Sequence, residues 1–314
     1  MEKIAIIGTG LIGRAWAMVF ARAGHSVALW DKVPEAMDKA IGLIEEGLVD
    51  LQRAGLIKEN PKTVAARVRT VSTLAEALRD ADYVQENTAE DLAVKRAVYA
   101  EMDALAPAHC ILASSTSTIQ TSRFSEHLPG RNRCIVAHPV NPPHLVPVVE
   151  VSPAPWTDAE VTQRTLDLHA RVKQVPITVK REVEGFILNR LQAALLLEAW
   201  RLVQEEYVSV EDADKCIRDG LGLRWAFMGP FETIDLNAPG GIPDYAKRYG
   251  GKMYGMMRDT PPQPWDDTLI DKVNTQWREV MPQERHAERE AWRDRRLMAL
   301  VAHKQGMTDK DTHK

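Results

Sequence analysis

The chain has 314 residues, 45% of them hydrophobic, enough for two domains with packed cores. Forty basic side chains against 44 acidic leave a net charge of −4, which gives no sign of a polyanion-binding surface and argues against nucleic acid as a partner. Three cysteines, Cys110, Cys134 and Cys216, form no C-x-x-C pair and indicate neither a disulfide framework nor a zinc site, and no apolar stretch is long enough for a membrane span, so a cytoplasmic, metal-free protein is expected.

The apolar run Ile4 to Ile7, closed by Gly8, predicts a buried parallel strand feeding a tight turn, and it starts too near Met1 to leave room for a signal peptide. Gly8, Gly10 and Gly13 fit G-x-G-x-x-G. The first glycine permits the turn, the second lets backbone approach a pyrophosphate, and the third lets helix pack on strand. Such a match alone is weak, because glycine-rich turns are common. Here a helix is predicted from Leu11 to Ala23, Gly24 stops it, and Ser26 to Trp30 reads as a second strand ending in Asp31, 23 residues after Gly8. That is close to the spacing of the carboxylate that accepts from the adenosine ribose hydroxyls. The expected cofactor is NAD, since Asp31 would repel the 2′-phosphate of NADP, a repulsion that Lys32 offsets only in part. Leu11 and Ile12 are expected to lie against the cofactor through backbone and flank.

Further strands are predicted near Val68 to Val71, Tyr83 to Gln85, Cys110 to Ala113 and Cys134 to Ala137, alternating with helical stretches. The fold class is α/β, a Rossmann-type doubly wound, mostly parallel sheet followed by an all-helical C-terminal domain. In the run AHPVNPPHLVPVVEV, His138 and Glu150 flank a proline-rich loop whose four prolines over 134–149 forbid a helix. Imidazole titrates near neutral pH and a carboxylate can hold its second ring nitrogen, so the pair has the chemistry of a general base; an isolated strand-end histidine would instead be satisfied by backbone carbonyls. A helix around Asp158 to Val172 and a strand Val175 to Val179 close the first domain. The predicted division is 1–182 for cofactor binding, 183–303 for a helical substrate and dimerisation domain, and 304–314 for a frayed tail. The helix predicted over 185–206 is apolar round most of its circumference, which predicts burial on several sides and a homodimer through this region.

The stretches GTGLIGRAWAMVFARAG, QENTAEDLAVKR, SSTST, CIVAHPVNPP, VPVVEV, GFILNR and DGLGLRWAFMGPFET, in that order, resemble the L-3-hydroxyacyl-CoA dehydrogenase superfamily over nearly the whole chain, and within it the lambda-crystallin branch. The resemblance implies NAD-dependent oxidation of a 3-hydroxyl, with His138 as base and Glu150, 12 residues on, orienting it. It also implies that Ser117 and Asn189 bond the reacting oxygen, and that Glu90 and Lys95 line the cofactor on its nicotinamide side. As plain structure, Ser117 suits a helix cap, Asn189 a bond to a neighbouring helix, Glu90 a helix-start acid and Lys95 a surface charge. The chain departs from the acyl-CoA enzymes at Leu223, Arg224 and Trp225, where those carry small or neutral residues. A guanidinium suits a free carboxylate, so Arg224 is expected to bind a small 3-hydroxy acid; a salt bridge to Asp219 or Glu232 is the alternative. L-Gulonate or a similar sugar acid ranks first. L-Carnitine or another short 3-hydroxy acid follows, with aromatic faces from Trp225, Phe227, Tyr245 and Tyr249 available for its ammonium group. An acyl-CoA thioester ranks third, and an NADH-binding structural protein is the non-enzyme alternative.

Overall fold

A computed structural model of the chain describes residues 1–259 and 264–311. Strands and helices alternate from the start: β1 (Lys3–Ile7), α1 (Leu11–Arg22), β2 (Ser26–Trp30), α2 (Pro34–Arg53), α3 (Pro61–Ala65), β3 (Val68–Thr70), α4 (Leu74–Leu78), β4 (Tyr83–Glu86), α5 (Leu92–Leu105), β5 (Ile111–Ser114), α6 (Thr121–Ser125) and β6 (Cys134–Pro139). β7 (Val148–Pro153), α7 (Ala159–Arg171) and β8 (Val175–Thr178) complete a single sheet of eight strands in the order β3-β2-β1-β4-β5-β6-β7-β8. All neighbours are parallel except β6 and β7. The strand order reverses beside β1, so the crevice at the carboxyl ends of β1 and β4 is where such a sheet binds a ligand.

β7 was not among the predicted strands, because the prolines before it read as an extended loop. The loop 140–147 instead folds β7 back antiparallel on β6, and the register sets His138 directly opposite Glu150. Alternation along the strands supplies both faces with apolar cover. Ile4 and Ile6 pack with Trp16, Phe20 and Ile44 on one side, while Ala5 and Ile7 pack with Tyr99, Phe124 and Phe186 on the other. At about 25 cal/mol per Å² of apolar area, each such buried side chain contributes on the order of 2 kcal/mol.

The remaining elements are helical: α8 (Leu188–Gln204), α9 (Val210–Lys215), a π-turn over Cys216–Leu221, α10 (Gly222–Trp225), α11 (Pro230–Leu236), α12 (Gly241–Asp259), α13 (Asp267–Val280) and α14 (His286–Asp311). The chain divides into two compact units, Met1–Arg190 with Ala291–Lys314, and Leu191–Glu290. These bounds differ from the predicted 182/183 and 303/304 divisions for two physical reasons. Glu150 binds the amides that open α8, and Met298 of α14 is buried in the core of the first unit. α14 runs through Asp311, well into the predicted tail, of which 312–314 lie outside the described residues. Within α8 only Val203 is buried, so the predicted burial on several sides is not met within a single chain.

Candidate active site

The turn after β1 is built by its glycines. Gly8 adopts φ +92°, and a Cβ there would strike the carbonyl of Asn87, while a Cβ on Gly13 would be driven into the carbonyl oxygen of Gly8. Apart from its own chain neighbours, nothing lies within 4 Å of the Cβ position at Gly10, and no side chain caps α1, so backbone amides at Leu11 and Ile12 are open to an anion. Leu11 is half exposed, and Ile12 packs its flank on the core. Asp31 stands at the end of β2, where Oδ2 accepts from the Thr9 amide at 2.7 Å and the Thr9 hydroxyl at 3.0 Å and Oδ1 accepts from the Val33 amide at 3.0 Å. The open cradle at Gly10, the uncapped helix and a fixed carboxylate at the β2 end together fit a dinucleotide with a free ribose diol.

Beyond β4 the loop toward α5 is held by carboxylates. Glu86, fully buried, accepts from the Thr88 amide, the Ser114 hydroxyl and, at 3.1 Å to each oxygen, Lys95 Nζ. Lys95 is 1% exposed, which excludes the surface-charge reading; its ammonium sits on Glu86 and 3.9 Å from Glu90. Removing one partner of such a pair costs about 3–5 kcal/mol. Glu90 Oε1 collects the Thr116 hydroxyl at 2.7 Å, the Ser117 and Thr118 amides at 2.9 Å and the Thr118 hydroxyl at 3.0 Å. Burial pushes the Glu90 carboxyl up, but the Thr116 bond, Lys95 and the Thr118 bonds outweigh it and hold the group below its ordinary value. Glu90 therefore shapes the SSTST loop, and Lys95 acts on that loop through the two carboxylates.

Ser117 is exposed at the tip of this loop and does not cap α6, whose N-cap is Gln120 without a side-chain bond. Asn189, in the first turn of α8, donates Nδ2 to the Ser117 carbonyl at 2.8 Å, which joins the two residues predicted to act together.

The histidine and carboxylate form the best-defined part of the site. His138 Nδ1 and Glu150 Oε2 are 2.8 Å apart across the β6–β7 pairing, with His138 5% exposed and Glu150 fully buried. The carboxylate is an acceptor only, so Nδ1 carries the proton and Nε2 presents a lone pair. Glu150 Oε1 accepts from the amides of Ile187 at 2.7 Å and Leu188 at 2.9 Å. Burial drives the Glu150 carboxyl upward, and the His138 bond together with the two amides brings it below its ordinary value. Phe186, also fully buried, sets its ring 5.4 Å from the imidazole.

Glu86 and Phe186 were not singled out from the sequence. Glu86 stands in a motif whose later residues drew attention, and nothing in GFILNR marks its phenylalanine as left-handed. Arg224 belongs to the second unit, where it is exposed and its guanidinium makes no ion pair or hydrogen bond among the described residues; Asp219 is taken by Arg218 at 2.7 Å. Among the described residues no group of side chains forms a metal site, no helix is long and apolar enough to cross a membrane, and the three cysteines are free.

The doubly wound sheet, its glycine turn and the carboxylate of Asp31 at the end of β2 are the features of an NAD-binding domain. Residues 3–183 match the 3-hydroxyacyl-CoA dehydrogenase NAD-binding domain and residues 185–277 the C-terminal domain of the same family. A lambda-crystallin homolog of Bos taurus is 41% identical over 303 residues, covering 95% of this chain and 94% of that one. An L-carnitine dehydrogenase of Nocardiopsis dassonvillei is 35% identical over 302 residues, covering 96% and 91%. The structure of 5-formyl-3-hydroxy-2-methylpyridine 4-carboxylic acid 5-dehydrogenase, an NAD-dependent dismutase, superposes with a TM-score of 0.82 at 26% identity, covering 97% and 98%. The chain belongs to the 3-hydroxyacyl-CoA dehydrogenase family and is an NAD-dependent oxidoreductase of the 3-hydroxy acid dehydrogenase type.

Proposed function

We propose that this chain oxidises the 3-hydroxyl of a small L-3-hydroxy acid that carries a free carboxylate, with L-gulonate or a similar sugar acid as the first candidate. The observation that carries the reading is the buried His138–Glu150 pair, whose geometry leaves Nε2 free to take the hydroxyl proton while Glu150 steadies the imidazolium that forms. Bound NAD supplies the acceptor for the hydride from C3. The exposed Ser117 hydroxyl and the Asn189 amide are suited to bond the oxygen on C3 as it becomes a carbonyl. Gly8, Gly10, Leu11, Ile12, Gly13 and Asp31 hold the dinucleotide, and Glu90 with Lys95 orders the loop beside it.

The free carboxylate is assigned to Arg224. The guanidinium's lack of a partner among the described residues and the diversion of Asp219 to Arg218 support that role. A guanidinium–carboxylate pair makes two charge-assisted bonds of roughly 1.5–3 kcal/mol each, whereas a thioester would leave the arginine unpaired. The names of two relatives also specify free acids, carnitine and a pyridine carboxylic acid. L-Carnitine is the second reading; Tyr245 and Tyr249, with ring centroids 4.9 Å apart, are aromatic faces of the kind its ammonium group requires. We also propose that a second copy of the chain covers the second unit. Leu191, Leu223, Phe231, Leu236 and Tyr254 are each at least 65% exposed, and so large an apolar surface marks an association site.

Initial rates of NAD reduction with L-gulonate, L-3-hydroxybutyrate, L-carnitine and 3-hydroxybutyryl-CoA, on the wild type and Arg224→Met, test the assignment. Free acids are expected to turn over and to lose about 10²-fold or more in kcat/KM in the variant. Preferential turnover of the thioester, undiminished in Arg224→Met, would make the arginine structural and overturn the reading; no turnover of any substrate beside tight NADH binding would favour a structural protein.

A further inference from the structure

Glu150 divides its two oxygens. Oε2 is committed to His138 and Oε1 to the amides of Ile187 and Leu188, so the carboxylate cannot rotate without breaking a bond to a buried donor. Those two amides reach it because the chain turns sharply before α8. Gly185 has φ +73° and Phe186 φ +50°, two consecutive residues in the left-handed region. Glycine adopts that conformation freely, whereas for a bulky residue it is a rare outlier that the surroundings must enforce. For Phe186 the enforcement is its ring, fully buried in the core cluster that also holds Leu112, Val136 and Val179, and tilted at 40° to the imidazole of His138. Strain of this kind in contact with a proposed base is the pattern expected of a pre-organised site.

We propose that the Gly185–Phe186 turn is a positioning element of the reaction: its left-handed backbone aims two amides at one oxygen of Glu150, and its phenyl ring walls the flank of His138. The proposal rests on the dyad reading above. The turn thereby fixes which carboxylate oxygen meets Nδ1, keeps the proton on Nδ1, and leaves Nε2 in a single orientation. The two N–H dipoles also offset part of the carboxylate charge in a site that burial has stripped of water. The surroundings of Glu150 leave few other ways to do so. His138 on β6 is the titratable side chain facing it, β8 sets Ile177 beside it, and the start of α8 contributes main-chain amides.

The backbone and the ring are separable. Gly185→Val puts a β-branched residue where φ is positive; a Cβ there would meet Asn189 and Arg190 at ordinary contact distances of 3.7 and 3.8 Å, so Gly185→Ala carries the conformational perturbation without valine's γ-methyls and is run beside it. Phe186→Gly removes the ring and leaves the turn free to keep its shape. The readouts are NADH affinity and the pH profile of kcat/KM with the fastest free acid of the substrate panel. With the amides turned away, the dyad as a unit takes its first proton more readily, so in Gly185→Val the acid-side midpoint is expected to rise by about one pH unit with NADH affinity unchanged. In Phe186→Gly the midpoint is expected to stay and kcat to fall about tenfold through loss of orientation. A midpoint for Gly185→Val that stays or moves down, while Glu150→Gln is inactive, would overturn the role of the turn and leave the dyad intact. A fully active Glu150→Gln would instead remove the dyad reading itself. Gly185→Ala provides the milder form of the test if the valine variant does not fold.

Discussion

Replacing Glu150 by glutamine changes one atom's hydrogen-bonding sense in a site where three donors converge, which makes Glu150→Gln the sharpest probe of the proposed base. The carboxylate accepts from His138 Nδ1 at 2.8 Å and from the Ile187 and Leu188 amides at 2.7 and 2.9 Å. A carboxamide has one accepting oxygen and one donating nitrogen. If its oxygen stays on the two amides, its nitrogen faces Nδ1, which must then accept. The ring proton moves to Nε2, and the lone pair that would take the substrate proton is gone. If the oxygen faces His138 instead, its nitrogen meets two buried main-chain donors, each left unsatisfied at about 1–3 kcal/mol, so the first arrangement is preferred. Loss of a general base lowers rate by roughly 10²–10⁴, or about 3–5 kcal/mol in activation free energy. The assay is steady-state NADH formation, with NADH affinity and circular dichroism as controls. Glu150 touches neither the glycine turn nor Asp31, so both controls should match the wild type. A folded, NADH-binding Glu150→Gln enzyme with wild-type kcat would refute the tautomer argument.

Three further outcomes are expected. His169 is fully buried; Nε2 pairs with the Tyr83 hydroxyl at 2.9 Å while Nδ1 has no partner, and burial lowers its pKa from 6.5 to about 3. An unfolded chain binds that proton below 6.5 and the folded one does not, so stability present above pH 6.5 is lost as pH falls toward 3, amounting to about 2 kcal/mol at pH 5. Urea unfolding of His169→Phe should lack that decrement between pH 7 and 5, and an unchanged slope would contradict the neutral buried imidazole. The carboxylate of Asp31 should depress kcat/KM with NADP on the order of 10²-fold relative to NAD, and comparable efficiencies for the two cofactors would discard its ribose role. Sedimentation at micromolar concentration should give twice the chain mass of 35.2 kDa, a single-chain mass being the contrary result.

Local chemistry was enough for much of this molecule. Glycines at positions 8, 10 and 13 and an acid after the second strand made the tight turn and the placement of Asp31 legible from backbone freedom and charge alone, because every part lies within one βαβ unit of the chain. Strand positions followed from apolar runs for the same reason. Three decisions belonged to the tertiary structure. The antiparallel pairing of β7 that sets Glu150 opposite His138 depends on β7 entering the sheet between β6 and β8, information that prolines in the loop obscure. The burial of Lys95 on Glu86 depends on α5 docking so that Lys95 reaches the end of β4, since nothing in a lysine's own neighbours distinguishes an interior ion pair from a surface charge. The left-handed backbone of Phe186 is imposed by the cavity its ring fills, so a residue whose intrinsic preference is for negative φ holds the opposite sign; in such a place packing energy outweighs local preference, and only the folded chain reveals it.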